Sequence, residues 1–187
     1  EGDLKIIRSR LKIPLNLEIA ATKEMFNIAK RQKPSFICIV PEKRKEITTE
    51  GGLNLNKNKS FLKKVINNLQ ANGSRVSIFI EPNTKDIYKA KFFFNADCVE
   101  LHTGKICNLI NEKKNYKKEL LKIINAAKFA KNLSLEVHAG HGLTYESTKI
   151  LTKIKEIQEF NIGHFLIGES IFVGLRNAIK NFKKIIK

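Results

Sequence analysis

Apolar and polar positions alternate along this chain on two periods. Six short runs rich in Ile, Val, Leu and Phe read as strands over 14–20, 35–41, 75–81, 97–102, 134–138 and 160–167. They are nearly continuous in apolar residues, as strands covered on both faces are. Between them lie segments with apolar residues three and four apart, which read as helices over 22–32, 58–72, 83–92, 115–132, 144–155 and 171–186. A further helix over 2–12 would carry Leu4, Ile7 and Leu11 on one face. Thr22, Asn83 and Thr144 stand where N-caps belong, and Gly73 where a helix stops. The connection over 42–57 is longer than its neighbours and contains a Gly-Gly pair. In compact α/β domains such loops usually serve as lids or binding loops.

Six βα units in succession call for a parallel sheet with right-handed crossovers, either doubly wound or closed as a (β/α)8 barrel. A second pattern favours the barrel. Four of the strand-like runs carry an acid, a histidine or a glycine in or just after them: LNLEIA (15–20), CVELHTG (98–104), LEVHAGHG (135–142) and FNIGHFLIG (160–168). Polar groups inside apolar strands are costly unless something uses them. In a barrel the C-terminal strand ends converge on one rim, where active sites form. A doubly wound sheet would concentrate them at one switch point. The expectation is one domain over 1–187 forming three quarters of a (β/α)8 TIM barrel. The first two strands and one helix, roughly 50 residues at the scale of such units, are expected to be missing from the N-terminal side.

Composition changes this picture little. The chain has 187 residues, 42% hydrophobic and 28% charged, which is globular and large enough for a real core. No apolar run approaches the ~18 residues of a membrane span, and the polar opening EGDLKIIRSR is not a signal peptide. The net charge of +17 comes from lysine spread along helices, with no nucleic-acid motif, so the reading is a solvated surface compatible with anionic small molecules. Cys38, Cys98 and Cys107 have no metal spacing; Cys38 and Cys98, within apolar strands, read as small core residues, and an odd number without a framework suits a reducing cytoplasm.

Each candidate has a functional and a plain reading. In Asn16-Leu-Glu-Ile-Ala, Glu18 shares a strand face with Asn16 and Ala20; it is a base of raised pKa or half of a buried ion pair. Glu100 and His102, two apart, share a face and can tune each other, or His102 makes a structural hydrogen bond. His138-Ala-Gly-His141-Gly142 projects an imidazole from a glycine turn, with a helix following. A metal held by His138, His141 and Glu100 is the weaker reading, because HxH and HExxH spacings are absent. Gly142, Gly163 and Gly168, with His164 near the start of the last strand, could present N–H groups to a phosphate or simply make tight turns. Thr48, Thr49 and Lys43 or Arg44 could touch a phosphorylated substrate from the long loop, or the loop is merely solvated.

Taken together, Asn16-Leu-Glu-Ile-Ala, Val40-Pro-Glu-Lys-Arg, Thr48-Thr-Glu-Gly-Gly, Glu100-Leu-His-Thr-Gly, Ala139-Gly-His-Gly-Leu-Thr-Tyr and Asn161-Ile-Gly-His resemble the pyridoxine 5'-phosphate synthase family of vitamin B6 biosynthesis. The resemblance runs through the whole chain in order. It implies a (β/α)8 barrel assembled as a homo-octamer in the cytoplasm, with no metal and no organic cofactor. It implies condensation of 1-deoxy-D-xylulose 5-phosphate with 3-amino-2-oxopropyl phosphate to give pyridoxine 5'-phosphate, inorganic phosphate and water. Neither nucleic acid nor membrane is an implied partner. Carried over by motif, Glu18 resembles a proton acceptor, His141 the proton donor and Glu100 a transition-state stabiliser. Thr48 resembles a contact to the deoxyxylulose phosphate, and Gly142, Gly163 and His164 contacts to the aminooxopropyl phosphate. His138 is given no role. The family's Asn-x-Asp-His and His-x-Arg segments are not in this sequence, so the 187 residues alone are expected to be inactive. The other readings are a different sugar-phosphate barrel enzyme and a non-catalytic, phosphate-binding remnant. A Schiff-base aldolase is disfavoured, because no strand carries an inward lysine at its C-terminal end.

Overall fold

The computed structural model of the chain describes residues 1–42 and 51–187. Among them, six strands follow one another in the sheet in sequence order: β1 (Asn16–Ala20), β2 (Phe36–Val40), β3 (Arg75–Ile80), β4 (Cys98–His102), β5 (Glu136–Gly140) and β6 (Ile157–Asn161). The registers of β1 with β2, β2 with β3 and β5 with β6 are parallel. Helices alternate with the strands, as the two periods in the sequence require. Two compact units emerge, residues 1–81 with 85–100, and residues 82–84 with 101–187.

The first unit holds α1 (Gly2–Arg10), α2 (Lys23–Gln32), α3 (Lys59–Ala71) and most of α4 (Thr84–Phe92). Thr22 caps α2 by accepting from the Met25 N–H at 3.3 Å. Leu62, Val65, Ile66 and Leu69 bury one stripe of α3, while Ile37, Ile39, Val76, Ile78 and Ile80 fill β2 and β3. Gly73, at φ +91, ends α3 as expected. The apolar face expected for α1 is not used. None of its residues is buried, and Ile7 and Leu11 stand 45% and 39% exposed. Polar contacts hold it instead: Arg31 donates to both Glu1 carboxylate oxygens at 2.9 and 3.0 Å, and Arg8 donates to the Gln32 carbonyl.

The second unit holds α5 (Gly104–Asn111), α6 (Lys117–Asn132), α7 (Tyr145–Leu151), α8 (His164–Val173) and α9 (Leu175–Ile186). Thr144 caps α7 in a reciprocal pair with Ser147, whose side chain accepts from the Thr144 N–H at 2.8 Å. Tyr145, Phe165 and Phe182 stack at centroid distances of 4.5–5.9 Å and join α7, α8 and α9.

Several elements differ from the sequence reading. α5 was not anticipated; its buried Ile106, Cys107 and Ile110 already have helical spacing. β5 runs two residues further, because Ala139 and Gly140 still pair with Phe160 and Asn161. The last strand ends at Asn161, and the apolar run from His164 is helix α8, not strand. A short apolar run fits either element, and here the helix wins. Gly174, at φ +78, then breaks the expected 171–186 helix and starts α9 afresh.

Candidate active site

In the first unit, a polar row crosses the sheet. Register places Glu18 of β1 opposite Cys38 of β2, and Cys38 opposite Ser77 of β3. Cys38 donates its S–H to Glu100 Oε2 at 3.1 Å. Cys38, Ser77 and Glu100 are each less than 5% exposed. Glu18 is open to solvent, yet burial by the protein around it raises its pKa above the usual carboxylate value. The direction suits a base, since a carboxylate of raised pKa holds an abstracted proton more firmly.

The same unit explains the Gly-Gly pair. Gly52 N–H donates to Glu81 Oε1 at 3.1 Å, and Leu53 N–H to the Phe79 carbonyl at 2.7 Å. A Cβ on Gly52 would lie 2.3 Å from the Glu81 nitrogen, so only glycine passes there. Residues 43–50, with the Thr48, Thr49, Lys43 and Arg44 of the sequence reading, lie outside the described residues.

In the second unit, two imidazoles meet. The rings of His102 and His141 have centroids 4.9 Å apart. Buried Gly104 lies against them, where a Cβ would come within 2.7 Å of each ring. His141 adopts φ +81, unusual for a residue with a side chain. Thr103 secures that turn: its hydroxyl donates to the Gly140 carbonyl at 2.8 Å and the His141 carbonyl at 2.7 Å, and its N–H donates to Gly140 at 2.9 Å. The pKa of His141 is lowered by burial first, then by the nearby His102 and His164. The resting ring is therefore neutral near pH 7, and once protonated it releases the proton readily.

His164 and Gly163 stand at the start of α8, exposed, with Gly163 as its N-cap. Gly142 follows His141 at the end of β5. Gly168 is a correction: it lies inside α8, where its N–H is committed to the helix, so it cannot line a phosphate loop. His138 is buried, its Nε2 2.9 Å from Glu136 Oε1 and its Nδ1 3.6 Å from Glu159 Oε1. Sequence reasoning missed Cys38, Ser77, Glu81 and Thr103. Glu81 alone left a signal there, an acid directly after the apolar strand RVSIFI.

Six motifs in order, with an acid row and an imidazole pair, make comparison with known proteins decisive. The family model described as "Pyridoxal phosphate biosynthesis protein PdxJ" matches residues 1–187. The chain belongs to the PdxJ family. Among its relatives, the pyridoxine 5'-phosphate synthase of Pelagibacter ubique is 59% identical over 182 residues, 97% of this chain and 75% of that protein. The pyridoxine 5'-phosphate synthase of Zymomonas mobilis is 49% identical over 186 residues, 100% of this chain and 72% of that protein. A solved xylose isomerase domain protein from Planctomyces limnophilus superposes with a TM-score of 0.52, covering 93% of this chain and 71% of that one. At 11% identity it speaks to fold alone. It agrees with an α/β fold of parallel strands of the TIM-barrel type, with six βα units among the described residues of this PdxJ-family chain.

Proposed function

We propose that the protein is a pyridoxine 5'-phosphate synthase, condensing 1-deoxy-D-xylulose 5-phosphate with 3-amino-2-oxopropyl phosphate in vitamin B6 biosynthesis. The match of the PdxJ family model over residues 1–187 carries the proposal. The chemistry joins an amine to a ketone, expels phosphate and water, and closes a ring by an aldol-type step. It needs a base, an acid, a group to steady developing charge and anchors for two phosphates.

Glu18 is the proposed proton acceptor, favoured by its raised pKa. His141 is the proposed proton donor, with a lowered pKa that eases proton release. Glu100 is proposed to stabilise positive charge as it develops on the condensing nitrogen. Gly142, Gly163 and His164 are proposed contacts to the aminooxopropyl phosphate; the start of α8 offers unsatisfied N–H groups to such an anion. Thr48 is the proposed contact to the deoxyxylulose phosphate. No metal or organic cofactor enters the scheme, and a cytoplasmic homo-octamer is the proposed assembly. No described helix is long and apolar enough to cross a membrane.

The test incubates both phosphorylated substrates with the full-length gene product and, separately, with the 187-residue chain. Pyridoxine 5'-phosphate is followed by fluorescence and phosphate release by colorimetry. The full-length product should turn over, and Glu18→Gln should lower kcat by about 10²–10⁴, the usual scale of a general base. Absence of product from correctly folded full-length protein would refute the proposal.

A further inference from the structure

The proposed scheme leaves a buried thiol without a task. Cys38 sits mid-strand in β2 and is 2% exposed. A cysteine there is ordinarily an apolar filler. This one has polar groups around it: Glu18 opposite on β1, Ser77 opposite on β3, and Glu100 within 3.1 Å of its sulfur. The thiol is held protonated. Burial pushes its pKa well above the usual thiol value, and the charge and hydrogen bond of Glu100 and the charge of Glu18 push the same way; Ser77 opposes them weakly. The S–H is therefore available as a donor, and the acceptor facing it is Glu100.

Resting on the synthase reading, we propose that Cys38 is a positioning residue whose S–H fixes the Glu100 carboxylate in one orientation and so keeps its role distinct from that of Glu18. Two carboxylates on one face of a sheet tend to share protons and titrate as a pair. A lysine or arginine between them would bind both and neutralise their chemistry. A thiol is neutral and a weak donor. It orients one oxygen of Glu100, adds no charge to the row and leaves Glu18 without a donor from Cys38. Glu100 stands on β4, one strand beyond Ser77 in the sheet order, so its longer side chain reaches back past β3 to the short, buried thiol.

The experiment uses Cys38→Ala and Cys38→Ser in the full-length gene product. Removing the donor should lower kcat at least tenfold with little change in KM, because a misoriented group affects the reacting state more than substrate binding. The acidic limb of the kcat–pH profile should shift, and the serine variant, which restores a donor, should recover most of the rate. Infrared spectroscopy reads the contact without turnover: the S–H stretch of Cys38 should move to higher frequency in Glu100→Gln. An alanine variant with parental kcat and an unchanged pH profile overturns the positioning role, as does a serine variant no better than alanine. An S–H band indifferent to Glu100→Gln overturns the contact itself. If the parent makes no product, the synthase reading fails and the positioning role with it, while the infrared band still shows whether the contact exists.

Discussion

Gly104→Ala separates activity from stability at the imidazole pair. The new methyl would lie 2.7 Å from His102 Nε2, 2.7 Å from His141 Cδ2 and 3.2 Å from His102 Cε1. Carbon atoms rest at about 3.5–4.0 Å, so the rings must retreat by roughly 1 Å. What the methyl meets is ring edge, not backbone, and rings can turn aside. Pushing both off their rotamers costs about 0.5–1.5 kcal/mol each. Replacing glycine by alanine at the first residue of α5 returns up to about 1 kcal/mol. Net stability should fall by no more than about 2 kcal/mol. Catalysis has no such relief, because a shift of about 1 Å in a reacting group costs about 10²-fold in rate, equivalent to about 2.7 kcal/mol of barrier. Urea denaturation and steady-state kinetics on the full-length gene product measure the two sides. A variant that keeps kcat within threefold while the imidazole NMR signals move would show that the ring positions are irrelevant to the chemistry. A loss of stability well beyond 3 kcal/mol would show that the rings are clamped and the packing argument wrong.

Other outcomes follow from the same geometry. Thr103→Val removes the donor to the Gly140 and His141 carbonyls and should cost about 1–3 kcal/mol in denaturant melts, while Thr103→Ser stays near the parent. The lowered pKa of His141 should appear in its NMR titration as a midpoint below 6.5, and His102→Gln should raise it by removing one like charge. Below the unfolded value near 6.5, and down to the lowered folded value, the unfolded chain binds the extra proton, so His141 makes stability decline as the pH drops through that window. Its substitution by Gln should flatten that part of the stability–pH curve. Gly52→Ala drives a methyl into the Glu81 backbone nitrogen and should destabilise by about 1–3 kcal/mol, against a change near zero for Gly2→Ala, where nothing lies within 4 Å.

The elements that the sequence announced clearly are those whose burial is two-sided. The apolar runs at 35–41, 75–81 and 97–102 read as strands because every position there needs cover, and all three are strands. The run from His164 shows the limit. Phe165, Leu166 and Ile167 follow one another without a polar break, so no period distinguishes helix from strand there, and the helix becomes evident in the continuation to Gly174 and α9. Glu18, Glu100, His141 and His164 were legible because a polar residue beside an apolar strand is conspicuous by itself. Cys38, Ser77 and Thr103 were not. Each resembles a small core residue until the register puts Cys38 beside Glu18 and Ser77, or the β4–α5 turn brings the Thr103 hydroxyl to the His141 carbonyl. Their significance lies in cross-strand neighbours, which one sequence does not display.

The order of the strands also bears on how the chain finds its structure. Asn16 meets Phe36, Phe36 meets Arg75, and Val137 meets Ile157. Each strand pairs with the next one made, after one helix or, between β4 and β5, two, so the loops to be closed stay local and their entropy cost modest. Low separation between partners favours fast assembly. On a ribosome, β1, α2 and β2 can settle before β3 has emerged, and each new unit adds to an edge already in place. The polar row of Glu18, Cys38 and Ser77 is then assembled one strand at a time, in the direction of synthesis.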